Sequence, residues 1–182
     1  MHDERGLPDA HLVARAQDGY DEAFELLVQR HRVRAFRLAL RLTGNRAEAE
    51  DVAQDAFAQA WRSLHRFRGE SAFTTWLYRI VTNVGLNRVQ RRRETPVDVA
   101  AMDLPPVIDG PDRVIEANEA LERLASAVMA LPFDQRAPLV LHALEGCSYE
   151  EVADILKITV PAVKGRLHRA RRALASSLRA DS

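Results

Sequence analysis

The chain has 182 residues, 47% of them hydrophobic and 29% charged, which is enough apolar material for folded cores and excludes an intrinsically disordered polyelectrolyte. Its single cysteine, Cys147, excludes an internal disulfide, and no CxxC or Cys/His cluster has metal-ligand spacing, so neither a metal nor a cofactor is expected. The 26 basic and 26 acidic side chains cancel, but residues 1–93 hold 16 Lys/Arg against 12 Asp/Glu, residues 94–115 one against five, and residues 116–182 nine against nine.

The amino terminus lacks a signal-peptide core and no apolar run is long enough to cross a bilayer, so a reducing cytoplasm is the expected address, without membrane insertion. Residues 9–93 contain no proline and keep helical periodicity almost throughout, whereas the next stretch carries Pro96, Pro105, Pro106 and Pro111 with Gly110, Asp98, Asp103 and Asp109. The reading is an all-α chain of two small helical domains, 1–93 and 113–182, joined by a flexible acidic linker, 94–112. Helices are predicted near 9–17, 20–42, 46–64, 71–92, 113–130, 134–145, 149–156 and 160–179.

In the first domain, Ala23, Phe24, Leu27, Val28, His31, Ala35, Leu38, Ala39 and Leu42 form one apolar stripe that stops at Thr43-Gly44-Asn45. Asn45 caps the following helix, which turns Ala49, Val52, Ala53, Ala56, Phe57, Ala60 and Trp61 inward. Its other face holds Glu48, Asp51, Gln54 and Asp55, either a solvated surface or a docking one. Trp61, Phe67, Phe73, Trp76 and Tyr78 are then interleaved with Arg62, Arg66, Arg68 and Arg79. Rings that stack on unpaired bases beside arginines that hold the backbone are how single-stranded nucleic acid is bound. Phe73, Trp76, Leu77 and Ile80 also recur at core spacing in a helix that Ser71 is expected to cap, so Phe73 and Trp76 are open between core and surface. Phe67, in the Arg66–Gly69 loop, is the better surface candidate. Asn83 and Asn87, one turn apart, carry amides suited to base edges, and Arg88, Arg91, Arg92 and Arg93 form a patch suited to phosphates.

The second domain reads as a helix-turn-helix. Ser148 caps a short helix with Glu150 and Glu151 in its first turn and Val152, Ala153, Ile155 and Leu156 on its buried face. Thr159 opens a second helix, with Pro161 tolerated in its first turn. That helix sets Val160, Val163, Leu167, Ala170 and Leu174 on one side, and Lys164, Arg166, Arg169, Arg171 and Arg172 with no acidic residue among them. Such a face repels itself unless a polyanion neutralises it, which makes DNA the natural partner.

The run Ala49-Glu50-Asp51-Val52-Ala53-Gln54-Asp55-Ala56-Phe57 followed by Trp61, then Phe67 through Asn83, resembles region 2 of bacterial extracytoplasmic-function sigma factors, group 4 of the sigma-70 family. Leu131-Pro132-Phe133-Asp134-Gln135-Arg136 through Leu174 resembles region 4. The resemblance implies a subunit, not an enzyme, that directs transcription initiation at specific promoters. It implies contact with the clamp coiled coil of the RNA polymerase largest subunit through Glu50, Asp51, Gln54 and Asp55, and with the polymerase flap region. The melted minus-10 strand is expected at Phe67, Arg68, Ser71, Phe73, Ile80, Asn83, Asn87 and Arg91, with one base extruded beneath the loop. The minus-35 duplex is expected at Lys164, Gly165, Arg166, His168, Arg169 and Arg172. Many relatives carry Arg-Ser where this chain has Lys164-Gly165, so the minus-35 sequence does not carry over. A separate anti-sigma factor is the expected source of control. Two rivals stand beside this reading: a helix-turn-helix repressor, which leaves the aromatic and arginine segment without a role, and an enzyme, for which no catalytic motif is found and the six histidines are scattered.

Overall fold

A computed structural model describes residues 6–94 and 114–180, with the side chains of 114–120 and 180 outside the description; the expected linker lies outside it save for Glu94. The elements are α1 (Asp9–Gln17), α2 (Asp21–Thr43), α3 (Arg46–Ser63), a 3₁₀ turn (Leu64–Arg66), α4 (Phe73–Glu94), α5 (Val114–Ala130), α6 (Phe133–Leu139), a π turn (Val140–Leu144), α7 (Tyr149–Leu156) and α8 (Val160–Ala180). Among the described residues there is no strand.

Helices α2, α3 and α4 pack on one another, with α1 laid across α2. Leu12, Leu27, Leu38, Leu42, Val52, Leu77 and Val81 are fully buried between them, each withdrawing an aliphatic side chain worth ~1.5–3 kcal/mol from water. The turn from α2 into α3 follows the expected stop signal. Gly44 takes φ 71° and returns its N–H to the Leu40 carbonyl, and the Asn45 side chain accepts from the Glu48 N–H at 2.9 Å. Two local expectations are corrected. Ala72, not Ser71, stands at the start of α4, where its carbonyl receives the Trp76 N–H. Trp61 is not turned inward but is 41% exposed, its ring resting on Phe24 at the rim of the core.

In the second domain α6, α7 and α8 close on Val140, Leu141, Val152, Ile155, Val163 and Leu167. The single helix predicted over 134–145 is interrupted: Pro138 lacks the N–H that an α-helix requires, and the chain continues as the π turn. Helix α7 starts at a full capping box, in which the Ser148 hydroxyl accepts from the Glu151 N–H and the Glu151 carboxylate accepts from the Ser148 N–H. It ends at Lys157, whose φ of 53° makes the tight turn into α8. The two domains touch. Helix α7 lies along α4, and the Met129 side chain sits over Gly44, where a Cβ would fall 2.4 Å from its Cε.

Candidate nucleic-acid interface

The buried stripe Val163, Leu167 and Ala170 anchors α8 and leaves Lys164, His168, Arg169, Arg171 and Arg172 exposed, with Arg166 half-buried. None of these five Lys and Arg side chains has a carboxylate partner among the described residues. Lys164 places its ammonium 5.4 Å from the centre of the Tyr149 ring, which itself stacks on His142. His142 Nδ1 bonds the Cys147 carbonyl at 2.8 Å, so the first helix of the motif is pinned to the π turn behind it. Gly165 is sterically free: a Cβ there would meet only the Arg169 guanidinium, at 3.6 Å. Packing against α7 therefore does not require glycine at this position.

Ahead of α4, the loop that carries Phe67 is held from α1. The Gln17 amide donates to the carbonyls of Leu64 and Phe67, each at 2.8 Å. Phe67 is half-buried in a ring cluster with Phe73 and Trp76, at centroid distances of 6.2 and 5.0 Å. Phe73 and Ile80 are 3% and 6% exposed. They form the floor of this surface, which settles Phe73 as core, while Trp76 is half-buried. Arg68 is exposed and Ser71 half-buried in the loop beside it, while Asn83, Asn87 and Arg91 are exposed further along α4.

On α3, Glu50 pairs with Arg46 at 3.1 Å and Asp51 with Arg88 of α4 at 2.5 Å. Arg92 of α4 reaches Glu48 at 3.1 Å. Gln54 and Asp55 are exposed, with no side-chain bond among the described residues. The expected polymerase face is thus half free and half engaged within the domain.

A further set of contacts has no signal in the sequence, and it engages Tyr78 and Arg79 of the aromatic and arginine segment, with Tyr78 4% exposed and so not a surface ring. Arg41 pairs with Glu145, whose other oxygen accepts from the Tyr78 hydroxyl at 2.7 Å. Arg79 pairs with Asp154, and the Thr75 hydroxyl donates to Glu151 at 3.4 Å. Burial and the Glu145 carboxylate push the Tyr78 phenol up, so it stays a donor. The Asp154 carboxyl is held below its ordinary value by the Lys157 ammonium and by Arg79. A polar cleft of about 480 Å³ opens beside these contacts, lined by Arg34, Arg37, Arg41, Tyr78, Glu145 and Cys147 among others. Burial pushes the Cys147 thiol up to about 11, which makes it a poor nucleophile. These residues join segments far apart in the chain, and no local spacing announces them. Among the described residues no His, Cys, Asp and Glu group could hold a metal, and no helix is long and apolar enough to cross a membrane.

Comparison with known proteins accounts for both halves. The Sigma-70 region 2 family model matches residues 27–95, and the Sigma-70 region 4 model residues 121–174. The RNA polymerase sigma-H factor of Pseudomonas aeruginosa is 38% identical over 180 residues, covering 93% of each chain. The ECF RNA polymerase sigma-E factor of Haemophilus influenzae is 39% identical over 176 residues, 91% of this chain and 92% of its own. Among solved structures, CnrH in complex with the cytosolic domain of CnrY matches with a TM-score of 0.73 at 33% identity, covering 96% of this chain and 99% of that one. The sigma factor RpoE of Bartonella quintana, in complex with the anti-sigma factor NepR, matches with a TM-score of 0.71 at 26% identity, covering 87% and 98%. With the helix-turn-helix on one domain, the aromatic and arginine surface on the other, and these matches over both, the chain belongs to the extracytoplasmic-function group of the sigma-70 family of transcription-initiation factors.

Proposed function

We propose that this chain is a promoter-specificity subunit that binds core RNA polymerase, reads the minus-35 duplex with α8 and captures the melted minus-10 strand on the surface around Phe67. The observation that carries the reading is the row of uncompensated cations on α8, mounted on a capped and buried helix-turn-helix. A helix of this width fits the major groove, where Arg169 and Lys164 reach base edges and Arg171 and Arg172 reach phosphates, and each neutralised phosphate releases a counterion. Gly165 lets the groove wall come close to the backbone of α8.

In the first domain, the loop held by Gln17 receives an unstacked base beside Phe67 and Trp76, over the floor of Phe73 and Ile80. Asn83 and Asn87 supply hydrogen bonds, and Arg68 and Arg91 hold the strand. Strand capture offsets the few kcal/mol of unstacking, so recognition and melting are one event. Asp55 and Gln54, with Glu50 and Asp51 once these exchange their arginines, form the face for the polymerase clamp. Residues 1–93 and 113–182 are the two working domains and 94–112 the tether between them. The chain works beside polymerase in the cytoplasm, and a separate anti-sigma factor covers its polymerase or DNA faces; the neighbour solved in complex with the anti-sigma factor NepR supports such a partner.

The test is in vitro transcription with core polymerase on a library of genomic fragments. The expected result is transcripts from a small set of fragments that share two spaced elements. Transcripts without a shared upstream element, or none above core polymerase alone, would contradict it.

A further inference from the structure

We propose that α1 is the positioning element of the pocket for the extruded base, and that Gln17 is the positioning residue that holds the rim of that pocket before the strand arrives. This rests on the strand-capture function proposed above. Helix α1 lies ahead of residues 27–95, the segment that matches the region 2 family model, yet it grips the pocket at two points.

The first point is the rim. The Gln17 amide nitrogen has two N–H groups, one for the Leu64 carbonyl and one for the Phe67 carbonyl, both at 2.8 Å. Leu64 opens the 3₁₀ turn and Phe67 follows its last residue, with the Phe67 N–H returning to the Leu64 carbonyl at 3.0 Å. One side chain thus ties both ends of the turn to α1. It fixes where the Phe67 backbone lies, and with it the ring whose centre is 5.0 Å from that of Trp76. The loop beyond has little packing of its own: Arg68, Gly69 and Glu70 are exposed, and a Cβ on Gly69 would meet nothing within 4 Å.

The second point is the floor. At the amino end of α1, one Asp9 oxygen meets His31 Nε2 at 2.7 Å and the other pairs with Arg30. The His31 ring is 4% exposed and lies 5.3 Å from the ring of Phe73, beneath the same surface. Between the two ends Leu12, Val13 and Ala16 are buried in the core, so the helix is fixed along its length. Gln17 itself is exposed and adds nothing to that core. Its two bonds hold the loop in one place, and a loop already held need not be ordered when a base enters. The gain is felt at the extruded base alone.

The experiment compares wild type and Gln17→Leu, as full chains bound to core polymerase, on a fork-junction promoter with an unpaired minus-10 strand. An abasic nucleotide is then scanned along that strand. Gln17→Leu should weaken binding to the intact strand roughly tenfold, the size of two lost hydrogen bonds, and the difference from wild type should vanish where the abasic nucleotide removes the extruded base. In the free variant, amide hydrogen exchange over residues 64–69 should quicken, while the unfolding midpoint and the affinity for core polymerase stay as in the wild type. Undiminished affinity of Gln17→Leu for the intact strand would overturn the proposal. A loss of equal size at every abasic position would also overturn it, because a residue that serves the fold alone behaves in that way. A wild type indifferent to every abasic position would overturn the strand-capture reading instead, while amide exchange still reports whether Gln17 holds the loop.

Discussion

At the carboxyl end of α4, Arg88 and Arg92 hold Asp51 and Glu48 of α3, whereas Lys164, Arg166, Arg169, Arg171 and Arg172 on α8 hold no carboxylate among the described residues. The two surfaces look alike as strings of arginines. They differ in what a partner must do on arrival. On α8 a phosphate meets an uncompensated cation and gains the full benefit of counterion release. On α4 an incoming group must first part Arg88 from Asp51, and both ions then need new partners. On the proposed reading, binding at α3 and binding at α4 are coupled, because a polymerase surface that took Asp51 would free Arg88 for a DNA strand.

The largest effect in this comparison comes from removing the platform beneath α8. Leu167 is 2% exposed, and Leu167→Ala should cost ~2–5 kcal/mol of stability in the second domain, read as a lowered unfolding midpoint with the first domain unchanged. Next comes Arg169→Ala, expected to weaken promoter binding by ~1–3 kcal/mol and to flatten the salt dependence by about one counterion while sparing the affinity for core polymerase. Equal loss in both assays would erase the distinction between the two surfaces. Gly165→Ala should stabilise the helix by up to about 1 kcal/mol, since nothing in the chain opposes a Cβ there, yet weaken minus-35 binding; a gain in stability with undiminished binding would mean that no groove wall approaches. The smallest effect is expected from Asp51→Asn. The pair is exposed, so folding stability should fall by no more than ~1 kcal/mol, while freed Arg88 makes single-strand affinity rise and polymerase affinity fall. Movement of both affinities in the same direction would argue against the coupling.

Much of this fold was legible in local chemistry. Asn45 and Ser148 are caps with a donor three residues on, Gly44 meets the left-handed requirement of a helix stop, and the stripes on α2 and α8 follow from helical period alone. Where the reading failed, tertiary context decided. Ser71 was one residue early as a cap because burial of Phe73 sets where α4 begins. Trp61 fits the inward stripe of α3 by spacing, but it lies at the domain rim, where no further helix covers it. Pro138 falls within an otherwise helical pattern, and the π turn that follows depends on packing that spacing does not encode. The site surfaces were visible as residue types, and their state was not: nothing in the spacing of Asp51 and Arg88 says that they pair. The contact of Glu145 and Asp154 with Arg41, Tyr78 and Arg79 spans 67 to 104 positions and has no local signature at all.

The central claim is that one chain reads duplex DNA with α8 and holds a melted strand with the first domain. Permanganate and nuclease footprinting of the complex with core polymerase on a responsive promoter tests it most directly. The account predicts upstream duplex protection together with reactive, unpaired thymines near the minus-10 element, the protection lost with Arg169→Ala. Protection without any unpaired thymine, the pattern of a repressor, would contradict it.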